Sequence, residues 1–165
     1  MDLRTLTEAF GPSGQENEVR KLILDAAAKL CGDVSVDRSG NVICRKRGGD
    51  PGKPSVTFAA HMDEIGFIVT GHTDDGLLRF QPVGGVDPRV AVSKWVLVGP
   101  ERVKGVIGAM AIHLQTKADR ERVLDYDALY IDIGAKEQKE AEKLCPLGSY
   151  AVFDTPYTEF GDGFV

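Results

Sequence analysis

Between Ile65 and Ala109 the chain is punctuated too often to be helical. Four short apolar runs, Ile65 to Thr70, Leu77 to Pro82, Lys94 to Val98 and Val103 to Ala109, are divided by turn-forming clusters. Those clusters are Gly71-His72-Thr73-Asp74-Asp75-Gly76, Gly84-Gly85-Val86-Asp87-Pro88 and Gly99-Pro100. Gly supplies backbone conformations that other residues resist, Pro fixes φ, and Asp and Thr bond nearby backbone groups, so each cluster reverses the chain. Short strands at this spacing suggest a small β barrel or sandwich. A strand at Leu129 to Ile133, a helix from Lys136 to Leu144 and a strand at Tyr150 to Phe153 extend the pattern.

The first sixty residues read differently. A helix over Leu3 to Phe10 is broken by Gly11-Pro12-Ser13-Gly14, and a second begins near Gln15 with Glu16 and Glu18 at its positive end. Val19, Leu22, Ile23, Ala26, Ala27 and Leu30 follow a helical period up to Gly32. Val34 to Asp37 and Val42 to Cys44 form a predicted hairpin around Arg38-Ser39-Gly40-Asn41. After the loop Gly48 to Pro54, the run Val56-Thr57-Phe58-Ala59-Ala60 has the composition of a central strand covered on both faces. Helices followed by strands predict an α/β layer structure here.

Bulk properties narrow the function. A chain of 165 residues, 42% hydrophobic and 27% charged, has the make-up of a globular protein of one domain or two small ones. Its 20 Lys and Arg against 25 Asp and Glu give a charge of −5, which opposes a phosphate backbone, so no nucleic-acid partner is expected. No signal-peptide core opens the sequence and no apolar run approaches membrane-spanning length, which predicts a cytoplasmic protein without membrane association. Cys31, Cys44 and Cys145 form no C-x-x-C pair and read as reduced packing residues.

The stretch with chemical potential is Ala59-Ala60-His61-Met62-Asp63. In an extended chain residues two apart project to the same side, and the carboxyl ends of strands in open α/β sheets are favoured ligand positions. An imidazole can bind a divalent metal through one nitrogen while a carboxylate holds the other, and His61 and Asp63 have those residue types. By spacing alone the alternative stays open: H-x-D is common, and Asp63 can simply bond local backbone in a polar turn.

His61-Met62-Asp63-Glu64-Ile65-Gly66-Phe67 resembles the H-M-D-E-I/V-G-F signature of the M42 metallo-aminopeptidases, a group that includes glutamyl and tetrahedral aminopeptidases. Further stretches in the family's order are Leu6 to Gly14 with Glu16 and Glu18-Val19-Arg20, then Asp37 to Asn41, Gly105 to Gly108 with His113-Leu114, and Leu129 to Ala135. The resemblance implies the N-terminal part of an open α/β zinc-peptidase catalytic domain carrying an inserted small, β-rich, barrel-like domain. Residues 1–64 would be the catalytic half, 65–155 the insert and 156–165 the return segment. It further implies that His61 is a metal ligand, that Asp63 is the catalytic-site carboxylate orienting it, and that peptides are the substrates. Two zinc or cobalt ions serve the complete family enzyme, and homo-oligomers form through the insert. The family's bridging carboxylate, general base and remaining ligands have no counterpart here, so the resemblance implies a truncated chain with weak or no metal binding alone.

Other polar residues receive simpler readings. His72 is expected in a solvated loop, His113 packed or exposed without a role, and Trp95 in the core or, second, at an interface. Asp74-Asp75-Gly76 and Gly161-Asp162-Gly163 are explained by turn chemistry. Two rival functions are a non-catalytic oligomerisation or interaction fragment and, ranked last, an endoglucanase-type glycosidase, which needs a carboxylate pair that the sequence does not identify.

Overall fold

The structure, a computed structural model, describes residues 2–50, 52–117, 121 and 123–164. Pro51, in the predicted loop, and Val165 lie outside the described residues. The chain divides into two compact units, one of residues 1–63 with 157–165 and one of residues 64–156.

In the first unit α1 (Leu3–Thr7) is capped by Asp2, whose carboxylate accepts the Thr5 N–H at 2.8 Å. The helix ends earlier than its apolar pattern suggests, because Ala9, Phe10, Gly11 and Pro12 leave it to become buried. Helix α2 (Asn17–Ala27) buries Val19, against which Gly11 packs so closely that a Cβ there would sit 2.5 Å from Val19 Cγ2. β1 (Asp33–Val36) and β2 (Val42–Arg45) pair antiparallel as a two-stranded sheet, with Ser35 opposite Ile43. Asp37 closes their turn by accepting the Ser39 and Asn41 N–H groups, both at 2.9 Å, while Gly40 takes φ +88°.

Two expectations fail in this unit. Val56 to Ala60 is neither a strand nor covered; it is exposed chain, with Phe58 at 94%. An apolar run becomes a central strand only where neighbouring strands supply its ladder, and among the described residues none pairs with it. The open α/β sheet is therefore not seen here. Cys31 and Cys44 are not reduced packing residues but form a disulfide across 13 residues of sequence; Cys145 is the free, buried cysteine.

The second unit is a closed six-stranded barrel. β3 (Gly66–His72), β4 (Leu78–Val83), β5 (Trp95–Val98), β6 (Val103–Ala109), β7 (Leu129–Asp132) and β8 (Tyr150–Phe153) follow one another around it in the order β3-β4-β7-β6-β5-β8. Every neighbouring pair is antiparallel. Closure leaves no free sheet edge. Alternation sends Phe67, Val69, Leu78, Phe80, Val96, Val98, Ile107, Leu129 and Ile131 into the interior. Phe67 meets Phe80 edge-on at 5.0 Å between centroids and Phe153 at 5.2 Å, geometry that adds to area burial.

Short helices add residues to the barrel core. α3 (Pro88–Ala91) begins at Asp87, with Pro at the first helical position where its missing N–H costs nothing. The Arg89 side chain and N–H both bond the Asp87 carboxylate, which drops its pKa to about 2. α4 (Gln138–Leu144) and the residue after it bring Ala141 and Cys145 into the core. Trp95 is not a core residue: strand alternation buries Val96 and Val98 and leaves Trp95 59% exposed.

Candidate functional site

His61 and Asp63 lie beyond the exposed run rather than at a sheet rim. His61 Nδ1 sits 3.0 Å from the Asp63 backbone oxygen and 3.1 Å from Asp63 Oδ1. Both partners are acceptors, so Nδ1 carries the proton and, in the neutral ring, Nε2 carries the lone pair. The His61 side chain is 86% exposed, which leaves that lone pair accessible.

Asp63 is itself held. The Ser13 hydroxyl donates to its carboxylate and is the main reason its pKa lies below the ordinary value, ahead of the opposing effect of burial and then of the His61 bond, which also lowers it. Ser13 belongs to the break between α1 and α2. There Gly14, at φ +93°, donates its N–H to Glu16 Oε1 at 2.7 Å, the main cause of the lowered Glu16 pKa. Glu16 also pairs with Arg20 at 3.3 Å, and Arg20 Nε donates to the Gly40 carbonyl at 2.7 Å. A chain of polar contacts thus runs from the hairpin turn through α2 to the imidazole. The sequence places Glu16 at the start of a helix but gives Ser13, Glu16 and Arg20 no part in the site; the Gly-Pro-Ser-Gly break is the local signal that backbone here serves something other than a helix.

The donor set decides what this pair can hold. Structural and catalytic zinc sites use three or four protein ligands. Among the described residues no group of three or more His, Cys, Asp or Glu is arranged to hold a metal ion. One imidazole with its orienting carboxylate does not by itself fit a resident dinuclear centre.

The other histidines stand apart from the pair. His72 is not in a solvated loop: it ends β3, half-buried, with Nε2 bonded to the Cys145 carbonyl at 2.7 Å. His113 is exposed in a 3-10 turn, Ile112–Leu114. Asp74-Asp75-Gly76 forms a turn in which Thr73 Oγ1 donates to Asp75 and Gly76 N–H returns to Thr73. Gly161-Asp162-Gly163 turns the chain between Phe160 and Phe164, which bridge antiparallel.

Residues 40–165 match the family model described as M42 glutamyl aminopeptidase. The chain belongs to the M42 family. Lysyl aminopeptidase of Pyrococcus furiosus is 32% identical over an alignment 165 positions long that covers 97% of this chain and 47% of that protein. The crystal structure of a TET aminopeptidase from the marine sediment archaeon Thaumarchaeota archaeon SCGC AB-539-E09 superposes with a TM-score of 0.90 at 32% identity, over 98% of this chain and 46% of the other. The Pyrococcus horikoshii TET1 peptidase, able to assemble into a tetrahedron or a large octahedral shell, matches with a TM-score of 0.78 at 40% identity, over 92% and 45%. The chain spans less than half the length of the curated relatives it matches. M42 peptidases are generally metal-dependent, and this M42 chain combines helices and strands with a closed barrel. Among its described residues no helix is long and apolar enough to cross a membrane.

Proposed function

We propose that this chain is part of a cytoplasmic, metal-dependent aminopeptidase that removes N-terminal residues from peptides. In this reading His61 offers Nε2 as one ligand of a divalent centre, zinc or cobalt, that other ligands complete. Asp63 fixes the ring, and Ser13 fixes Asp63. The observation that carries the reading is the bond from Nδ1 to Asp63, because it points the free lone pair of an exposed imidazole outward. A merely local polar turn would need Asp63 alone.

Residues 1–64 and 156–165 are then the catalytic-domain part, and 65–155 the inserted domain through which copies of the protein associate, as the assembling Pyrococcus horikoshii relative suggests. Substrate entry and the order of events at the metal are left to the residues that complete the centre.

The test uses the protein as isolated from its own cells. Divalent metal per protomer and release of N-terminal residues are measured on peptides with free and with acetylated N-termini. Wild type is expected to cut only the free form. His61→Ala is expected to lose both metal and turnover, and Asp63→Ala to lose about 10–100-fold in metal affinity or rate. Unchanged metal content and turnover in His61→Ala would reject the assignment.

A second reading, a non-catalytic interaction fragment, is favoured by the exposed apolar run, in which Val56 is 78% and Phe58 94% exposed. Self-association that is lost in Val56→Ser/Phe58→Ser, with no peptidase activity in any preparation, would favour it. The glycosidase reading is supported by the likeness to a solved Thermotoga maritima structure described as an endoglucanase, with a TM-score of 0.79 at 36% identity, and the peptidase test above decides against it if turnover depends on His61.

A further inference from the structure

We propose that Cys31 and Cys44 form a thiol-exchangeable clamp that fastens the β1–β2 hairpin to the end of α2, and that low-molecular-weight thiols and disulfides open and close it. The hairpin needs such a fastening. Among the described residues it is a two-stranded sheet with no third strand, and such hairpins are marginal in water. Most of its side chains are exposed, so apolar burial contributes little to holding it.

Two anchors tie it to α2 instead, one at each end. At the turn, Arg20 Nε donates to the Gly40 carbonyl at 2.7 Å, and the guanidinium lies so close that a Cβ on Gly40 would meet Arg20 Nη2 at 2.6 Å. At the far end, Cys31 stands in the turn that prolongs α2, its N–H bonded to the Ala27 carbonyl at 2.9 Å, and Cys44 stands within β2. Their Cα atoms are 6.2 Å apart, within the range a disulfide spans without backbone movement.

Access decides that this bond is exchangeable rather than permanent. Cys44 is exposed and Cys31 half-buried, whereas Cys145 is fully buried. Thiol–disulfide exchange requires a thiolate to reach a sulfur, and exposed disulfides are the labile ones. On the cytoplasmic reading proposed above the compartment is reducing, and there paired cysteines are characteristically transient or redox-sensing. A small thiolate attacks the Cys44 sulfur, forming a mixed disulfide and releasing the Cys31 thiolate, which takes up a proton. A second thiolate attacks the mixed disulfide at the small-molecule sulfur and releases Cys44. The two-electron reduction of the clamp is balanced by oxidation of two thiols to one small disulfide, and the reverse step closes it.

The full chain is equilibrated without denaturant in reduced and oxidised glutathione at varied ratio, then alkylated and mapped by mass spectrometry. Backbone hydrogen exchange is followed over residues 31–45. Cys31 and Cys44 are expected to be protected together in oxidised glutathione and labelled together in reduced glutathione, with Cys145 unlabelled throughout. Hairpin amides are expected to exchange about tenfold faster once the clamp opens. Cys31→Ser/Cys44→Ser, which keeps the Arg20 anchor, is expected to match the reduced wild type in exchange. The proposal is overturned if both cysteines label freely in oxidised glutathione, if reduction needs denaturant, or if the double variant protects its hairpin as well as the oxidised wild type does.

Discussion

The ring of His72, at the end of β3, donates through Nε2 to the main-chain carbonyl of Cys145, 73 residues later in the chain, at 2.7 Å. Cys145 is the residue that ends α4, where helix carbonyls lose their intrahelical partners. One side chain therefore satisfies a helix terminus and ties it to a barrel strand. His72→Ala is expected to destabilise the barrel by about 1–2 kcal/mol, the cost of leaving a partly buried acceptor without its donor. Urea denaturation at neutral pH checks this. His72→Gln, which retains an N–H donor, should recover part of the loss.

The thiol of Cys145 makes the same corner sensitive to alkali. Burial holds its pKa at about 11, above the ordinary value of 9.0. The unfolded chain ionises first as pH rises, so the contribution of a buried neutral thiol is complete below about pH 9 and is lost as pH climbs towards 11. Stability measured between those values should fall more steeply in wild type than in Cys145→Ala. The extra slope integrates to at most about 3 kcal/mol, and parallel curves would reject the assignment.

What the sequence made legible follows from which physics is local. The barrel strands could be read because period-two alternation and Gly-rich turns are written within ten residues of themselves, and β6, predicted over Val103 to Ala109, is found there. Trp95 was misread because its aromatic size outweighed the alternation that turns it outward from between buried neighbours. The run Val56 to Ala60 shows the opposite limit: composition states that a segment suits a central strand, but not whether partner strands are present to pair with it. The pairing of Cys31 with Cys44 carries no motif, and the bonds from Ser13 to Asp63 and from His72 to Cys145 join residues that only the fold brings together. Of the candidate site, the His61-x-Asp63 spacing was visible and its support was not.

Close packing between β6 and β7 sets a sharp size limit at Gly105. A Cβ there would lie 2.7 Å from Ile131 Cγ2 and 3.1 Å from the Asp132 carbonyl oxygen. Ile131 is fully buried, so it has little room to retreat. Gly105→Ala should destabilise by about 1–3 kcal/mol through overpacking. Pairing it with Ile131→Ala, which removes the Cγ2 methyl that the new Cβ would meet, tests the mechanism: a cycle showing less than additive loss supports the clash, and strict additivity opposes it.

The hydroxyl of Ser13 makes a prediction that needs no peptidase activity. Because that hydroxyl is the leading cause of the lowered Asp63 pKa, Ser13→Ala should move the Asp63 carboxyl titration upward, towards the ordinary carboxylate range. The sign for stability follows: a depressed folded pKa contributes above the unfolded value and is lost as pH falls through the folded one, so the variant should lose this contribution at a higher pH than wild type. Carbon-13 shifts of the Asp63 carboxyl group read the titration directly, and nitrogen-15 shifts of His61 read its tautomer. Wild type should show the proton on Nδ1, and Asp63→Ala, which leaves only the backbone oxygen as acceptor, should populate the other tautomer more heavily. A ring protonated on Nε2 in wild type would mean that Asp63 does not orient His61, and the ligand geometry proposed for this chain would fall with it.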